Sequence, residues 1–202
     1  ARALMQEVAG ASRTHKSEAR LALARFYVAN DLAVEALGPL GVLMADDPAM
    51  RTNREALFLK GVATAQLHRN PEALAAFEAA PIKDDAEAAL WRALIEQRLG
   101  RDAPALADSR RGEPLLERYP ADLQGAFREA MARAAFATQD NGVAERQVQA
   151  LADMPRGSFD QEHLALLQAM LDEASGRAEA AMTGYRALFE AADRPIAAEA
   201  QL

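Results

Sequence analysis

Two small residues, twelve positions apart, recur five times along this chain and constrain its fold more than any other feature. The first is Ala24, Gly61, Ala93, Ala132 or Ala169, and the second is Ala36, Ala73, Ala105, Ala144 or Ala181. Small side chains at both places allow two antiparallel helices to pack closely, whereas larger ones would hold their axes apart. The pattern therefore predicts a repeated helical hairpin.

A turn signal recurs between the two small positions of every repeat. Each interval contains a short polar or glycine-containing segment of the kind that ends a helix. These segments are Asn30-Asp31, Arg69-Asn70-Pro71, Gly100-Arg101-Asp102, Asp140-Asn141-Gly142 and Gly176-Arg177. We expect a first helix to stop at each segment and a second helix to follow it.

Composition favours an all-helical chain and excludes some partners. Roughly a quarter of the 202 residues are alanine, the best helix former, and only 5% are aromatic. The net charge of -7 argues against nucleic acid, which demands a basic surface. No apolar run has the length of a membrane helix, so we predict no direct membrane insertion. The chain has no cysteine, and it is compatible with both the cytoplasm and the bacterial periplasm.

The repeated hairpin resembles the tetratricopeptide repeat (TPR) family, whose unit is a helix-turn-helix of about 34 residues. The resemblance covers residues 17–195, in about five repeats that begin near residues 17, 54, 86, 125 and 162. It is carried best by the fifth repeat, in which Ala169, Leu171, Gly176, Ala181, Tyr185 and Leu188 occupy the family's small and large positions. The resemblance implies an all-α fold, a right-handed α-solenoid of stacked antiparallel helix pairs.

Several residues depart from the family pattern. Lys60 stands where a leucine is usual, and Pro81 is expected to cut the second helix of its repeat short. Gly112 and Pro114 predict that the second helix of the third repeat breaks and restarts. These departures affect the boundaries of the helices rather than the class of fold.

The two ends of the sequence indicate that this chain is a piece of a longer protein. Residues 1–16 form the remnant of a preceding helix plus a linker, with Leu4, Met5 and Val8 as a short apolar stripe. Residues 196–202 match the start of a truncated sixth repeat. A solenoid is expected to end in a polar capping helix instead.

The sequence contains no pattern of catalytic or metal-binding residues. His15, His68 and His163 are far apart in the repeat scheme, so we predict no metal site and no cofactor. Asp46-Asp47 and Asp84-Asp85 lie in loops between repeats, where aspartates cap helices or stay solvated. Ser158 is expected to cap the helix that follows it. No set of nucleophile, base and orienting group can be assembled, and we predict that the chain is not an enzyme.

The TPR resemblance implies a concave binding groove built from the first helix of each pair. We call its seven selected residues the first-helix wall: Arg25, Phe58, Leu94, Arg98, Arg133, Phe136 and Met170. The family's clamp for a C-terminal carboxylate uses lysine and asparagine, which this chain lacks at the fifth and ninth positions. An apolar groove with arginines suits a protein or peptide, such as an acidic amphipathic segment. Trp91 borders this groove, and we expect it to fill the core rather than to anchor a partner.

Two functions follow as expectations. The favoured one is a noncatalytic TPR-like scaffold that binds a protein or peptide partner, with self-association as a further option. The alternative is a structural or regulatory helical-repeat arm of a larger multidomain enzyme or envelope machine. In that case the groove is filled internally.

Overall fold

The computed structural model describes residues 1–12 and 15–190 and is helical throughout that part, with no strand. The prediction of an all-α fold is confirmed for these residues. Eleven α-helices follow one another: α1 (Arg2–Gly10), α2 (Lys16–Val28), α3 (Ala33–Asp46), α4 (Arg54–Gln66), α5 (Asn70–Phe77), α6 (Ala86–Arg98), α7 (Asp102–Gly112), α8 (Ala121–Ala137), α9 (Asn141–Ala152), α10 (Gln161–Ala174) and α11 (Ala178–Phe189). The sixth repeat predicted at 196–202 lies outside the described residues.

The chain divides into two compact units, residues 1–95 and 96–202, and α6 belongs to both. In the first unit α1 packs on α2, α2 on α3 and α4, α3 on α4, and α4 on α5. In the second unit α7 packs on α8, α8 on α9 and α10, α9 on α10, and α10 on α11. Within each unit, therefore, a helix contacts the helices one or two places away along the chain.

Each turn inside a helix pair has the same backbone conformation. One residue per turn adopts the left-handed region, and these residues are Asp31, His68, Gly100, Gln139 and Gly176. The next N–H donates to a carbonyl five residues back, as in Leu32 to Tyr27 and Arg177 to Asp172. This is the hydrogen bond of a Schellman helix end, which satisfies a carbonyl that the helix itself leaves free. All five residues fall at the fifteenth position, counted from residues 17, 54, 86, 125 and 162.

Two turns differ from the sequence expectation. In the second, Asn70 and Pro71 of the expected turn lie inside α5, and the left-handed residue is His68. The fourth turn differs in the same way. The segment Asp140-Asn141-Gly142 was expected to be the turn, but Gly142 lies inside α9 and the left-handed residue is Gln139. The carboxylate of Asp140 accepts a hydrogen bond from the N–H of Val143 at 3.2 Å and so starts the helix earlier. Ser158 is also not the cap that we expected. Asp160 caps α10 instead, by accepting from the N–H groups of Glu162 and His163.

All ten small residues of the repeated pattern are buried. At two glycines of the helix pairs, Gly61 and Gly184, an added β-carbon would be too close to the facing helix. A β-carbon at Gly61 would lie 2.6 to 2.8 Å from ring atoms of Phe77, and one at Gly184 would lie 2.9 Å from Cβ of Ala169. The two helices of these pairs therefore approach closely at the small positions.

The prolines act on the second helices in different ways. As expected from Pro81, α5 ends at Phe77 after eight residues. The third pair follows its prediction too, since α7 ends at Gly112 and a 3-10 helix covers Glu113–Arg118. In contrast, α3 continues through Pro39 for fourteen residues.

We predict that enlarging a buried small residue destabilises its helix pair. Ala36 is fully buried among Leu23, Tyr27 and Ala33, so Ala36→Leu should lower the free energy of unfolding by about 1 to 3 kcal/mol. Ala181→Leu should have a similar effect. Ala29→Leu is the matched control, because Ala29 is exposed at the end of α2 and its change should be nearly neutral. Equal urea midpoints for the three variants would contradict the packing described above.

Candidate binding surface

The seven residues of the first-helix wall all lie on first helices of pairs. Arg25, Phe58 and Leu94 belong to the first unit, on α2, α4 and α6. The second unit contains the other four, of which Arg98 is on α6, Arg133 and Phe136 are on α8, and Met170 is on α10.

In the first unit the wall is only partly open. Arg25 is exposed, and its Nε donates to Oε1 of Glu55 on α4 at 2.7 Å. Phe58 is half-buried and meets Phe77 edge to face, with ring centroids 5.5 Å apart. Leu94 is 5% exposed, so it contributes to the core and offers a partner almost no surface.

Trp91 is a core residue, as we expected. It is 3% exposed, and its ring stacks on Phe77 at 6.2 Å between centroids and 13° between planes. The neighbouring Arg92 is also buried, and its guanidinium donates to the carbonyl of Phe77 at 3.1 Å. Phe77 is thus the centre of the aromatic packing in this part of the unit.

In the second unit the carboxylate of Glu129 contacts basic side chains of α8 and α10. Oε1 of Glu129 accepts from Nε of Arg133 at 2.9 Å and lies 2.9 Å from Nδ1 of His163. The side chains of Glu129 and Arg133 are each 18% exposed, so this ion pair is shielded from most of the solvent. Desolvation lowers the pKa of Arg98, and the charge of Glu129 opposes that shift.

The apolar members of the wall in the second unit are half-buried. Phe136 packs against two clusters, one around Ala105 and Ala135 and the other around Leu167. Met170 packs on Leu167 and also on the cluster of Leu166 and Leu188. Both side chains fill space between helices and expose only a part of their surface.

One further pair lies near the end of α10. The hydroxyl of Tyr185 donates to Oε2 of Glu173 at 2.6 Å. Desolvation, together with this hydrogen bond and the negative charge of Glu173, raises the pKa of Tyr185 well above its usual value. The tyrosine therefore stays protonated and acts as a hydrogen-bond donor that fixes α11 on α10.

Sequence reasoning missed the pairing between successive first helices. Glu129 and His163 are at the fifth and second positions of consecutive repeats, and Arg25 and Glu55 are at the ninth and second. Of these four residues only Arg25 belongs to the first-helix wall, and its charge was not matched with a residue of the next repeat. Opposite charges at such positions are the signal by which the pairs could have been found.

A second polar network lies on the other side of α8. Gln147 is 1% exposed, and its amide donates to Oε1 of Glu113 at 2.5 Å and accepts from Arg128 at 3.2 Å. Arg128 also donates to Glu117 at 2.9 Å. This network ties the 3-10 helix that follows α7 to α8 and α9, and we assign it a structural role.

Within residues 1–12 and 15–190, no group of three or more histidine, aspartate or glutamate side chains is arranged to hold a metal ion. His15 lies 2.8 Å from the hydroxyl of Ser12 through Nδ1, and His68 is the left-handed residue of a turn. No helix in the described part of the chain is long and apolar enough to cross a membrane.

Comparison of the chain with protein-family models, with curated proteins and with solved structures found no match in any of the three. The resemblance to TPR proteins therefore rests on the residues of this chain and on the repeated geometry of its helix pairs.

Proposed function

We propose that the five helix pairs stack as a right-handed TPR-like solenoid that serves as a noncatalytic scaffold for a protein or peptide partner. The observation that carries this proposal is the recurrence of one hairpin geometry in all five pairs. Each pair has buried small residues twelve positions apart and a left-handed residue at the same place between them. Repeated units of this kind place their first helices side by side and create an extended surface.

The second unit supplies the charge for recognition of an acidic segment. Arg98 and Arg133 both interact with the carboxylate of Glu129, so two guanidinium groups lie in one region of this unit. A carboxylate of the partner would meet both guanidinium groups, while Phe136 and Met170 provide apolar contact beside them. The proposed partner is therefore an amphipathic helix or extended peptide with acidic residues.

We predict that Arg98→Ala combined with Arg133→Ala weakens binding of acidic peptides by about tenfold or more, because two charge-assisted contacts are lost. The probes are peptides selected on the protein from a displayed library of amphipathic sequences. Their affinities are measured by fluorescence anisotropy at low and high salt. The matched control is Arg110→Ala, since Arg110 pairs with Asp140 away from the wall. Unchanged affinity in the double variant, with a fold unchanged by circular dichroism, would contradict binding at the wall.

One observation favours the alternative, a structural arm of a larger machine with its groove filled internally. Arg25 and Arg133 already form ion pairs with carboxylates of their own units, Glu55 and Glu129. If such pairs have only a structural role, the double variant should lose stability while peptide affinity stays the same. Measurements of unfolding and of peptide binding on the same variant therefore distinguish a partner-binding scaffold from a structural arm.

A further inference from the structure

A second apolar surface lies in the first unit, away from the first-helix wall. It is an open groove of about 480 Å³ between α3 and α4. It is lined by residues that include Leu37, Leu40, Gly41, Met44, Leu57 and Lys60, and Arg51 also lines it. We call it the α3–α4 groove.

The helix that follows α4 is unusually short. The helix α5 has eight residues, against fourteen in α3 and twelve in α9 and α11. Phe77, its last residue, covers Gly61 of α4. Leu57 and Lys60, on the preceding turn of α4, instead face the groove, and no residue of α5 lines it.

The helix α3 exposes a face that the protein's own packing does not explain. Val34 and Val42 are 68% and 47% exposed, and Glu35 is the only charged residue of the helix before Asp46. Gly38 and Gly41 lie inside the helix, where glycine lowers helix stability relative to alanine. A β-carbon at either glycine would meet nothing within 4 Å, so within residues 1–12 and 15–190 neither glycine is required by a neighbouring helix.

The rim of the groove is positively charged although the chain as a whole is acidic. Arg51 donates from Nε to the carbonyl of Met44 at 2.8 Å, which holds its guanidinium at the groove. Neither Arg51 nor Lys60 forms an ion pair within the described part of the chain. The carboxylates of Asp46 and Glu55, on the same two helices as the groove, are paired with Arg20 and Arg25.

We propose that the α3–α4 groove docks an amphipathic helix of a partner protein that carries glutamate or aspartate beside an apolar stripe. The apolar stripe would lie on the half-buried Leu37 and Met44, and the acidic residues would meet Arg51 and Lys60. Glycines three residues apart on α3 allow another helix backbone to come close, which a bulkier surface would prevent. The groove is open along α3, and this shape suits a helix better than a small amphiphile such as a fatty acid, which binds best in an enclosed cavity. This surface is separate from the first-helix wall and does not depend on its function.

The test uses Lys60→Glu and Gly41→Gln on the whole chain. The first reverses the charge of the rim, and the second places a bulky helix-forming side chain in the groove. Gly41 has helical backbone and open space around it, so the variant should keep its fold. Lys83→Glu is the control, because it makes the same charge change at an exposed turn outside the groove.

The probes are helix-forming peptides selected from a displayed library, and their affinities are measured by fluorescence anisotropy. We expect a class of selected peptides that is rich in glutamate and aspartate and loses affinity by about tenfold or more with Lys60→Glu and with Gly41→Gln. This class should bind normally to Lys83→Glu and to the double variant of Arg98 and Arg133. A peptide of this class in which a glutamate is replaced by lysine should again bind the Lys60→Glu variant.

The proposal is overturned if no selected peptide is sensitive to both groove variants. A second result would also overturn it. If oleate binds the protein more weakly in both groove variants and no selected peptide does so, the occupant of the groove is a small amphiphile. Loss of peptide binding in the Arg98 and Arg133 variant alone supports the first-helix wall and contradicts the α3–α4 groove.

Discussion

Phe77→Ala is expected to lower the free energy of unfolding by about 3 to 5 kcal/mol, the largest effect of any single substitution considered for this protein. Phe77 is fully buried, and its ring contacts Phe58, Trp91 and the backbone of Gly61. Truncation leaves a cavity among these groups, because the neighbouring helices can collapse only in part. Urea denaturation followed by circular dichroism measures the change.

At the same site, the effect of Gly61→Ala on the free energy of unfolding should change sign between two backgrounds, which cavity formation alone does not predict. In the native background Gly61→Ala should destabilise the protein, because its β-carbon would lie 2.6 to 2.8 Å from the Phe77 ring. In the Phe77→Ala background the ring is absent, so the same change should stabilise α4 by up to about 1 kcal/mol through helix propensity. The double-mutant cycle isolates this coupling. Equal effects of Gly61→Ala in both backgrounds would show that Phe77 does not press on α4.

Glu129→Ala is expected to destabilise the second unit by about 2 to 3 kcal/mol, between the values typical of exposed and of buried ion pairs. The substitution removes, at a partly buried site, a carboxylate that accepts a hydrogen bond from Arg133 and lies 2.9 Å from Nδ1 of His163. Glu129→Gln keeps an acceptor oxygen at this place and should therefore lose less stability.

Asp172→Ala is the matched control for the Glu129 variants. Asp172 pairs with Arg177, whose side chain is 58% exposed, so its removal should cost less than about 1 kcal/mol. A loss at Glu129 no larger than the loss at Asp172 would show that the charges of the second unit are solvated and do not hold α8 to α10.

The packing of the helix pairs was readable from the sequence because it depends on residue size. Gly61 and Ala36 are buried at the places where small side chains recur. The early end of α5 followed from Pro81, since proline interrupts helix hydrogen bonding. These features are local, or are repeated at fixed spacing, and one sequence is sufficient to show them.

Other features could not be read because they depend on unusual backbone or on contacts between repeats. Three of the five left-handed residues are Asp31, His68 and Gln139. A glycine indicates that a left-handed conformation is possible, whereas these residue types do not predict it. Glu129 and His163 are 34 residues apart in the chain, and their pairing depends on how the two helices that carry them pack against each other. The α3–α4 groove is lined by residues of two helices and by Arg51 between them, so no single motif marks it.

The central claim is that small residues bring the two helices of each pair into close contact, and a single disulfide tests it most directly. The chain has no cysteine, so the double variant Ala169→Cys and Gly184→Cys can form only one internal bridge. A β-carbon at Gly184 would lie 2.9 Å from Cβ of Ala169, which a small outward shift of α11 brings to the roughly 3.5 to 4.5 Å that a disulfide spans. Ala169→Cys with Met182→Cys is the control, because Met182 is 62% exposed. Mass spectrometry after mild oxidation of the folded protein should show the bridge between positions 169 and 184 and none in the control. Free thiols at both positions in folded protein, with a bridge formed only after unfolding in urea, would contradict the claim.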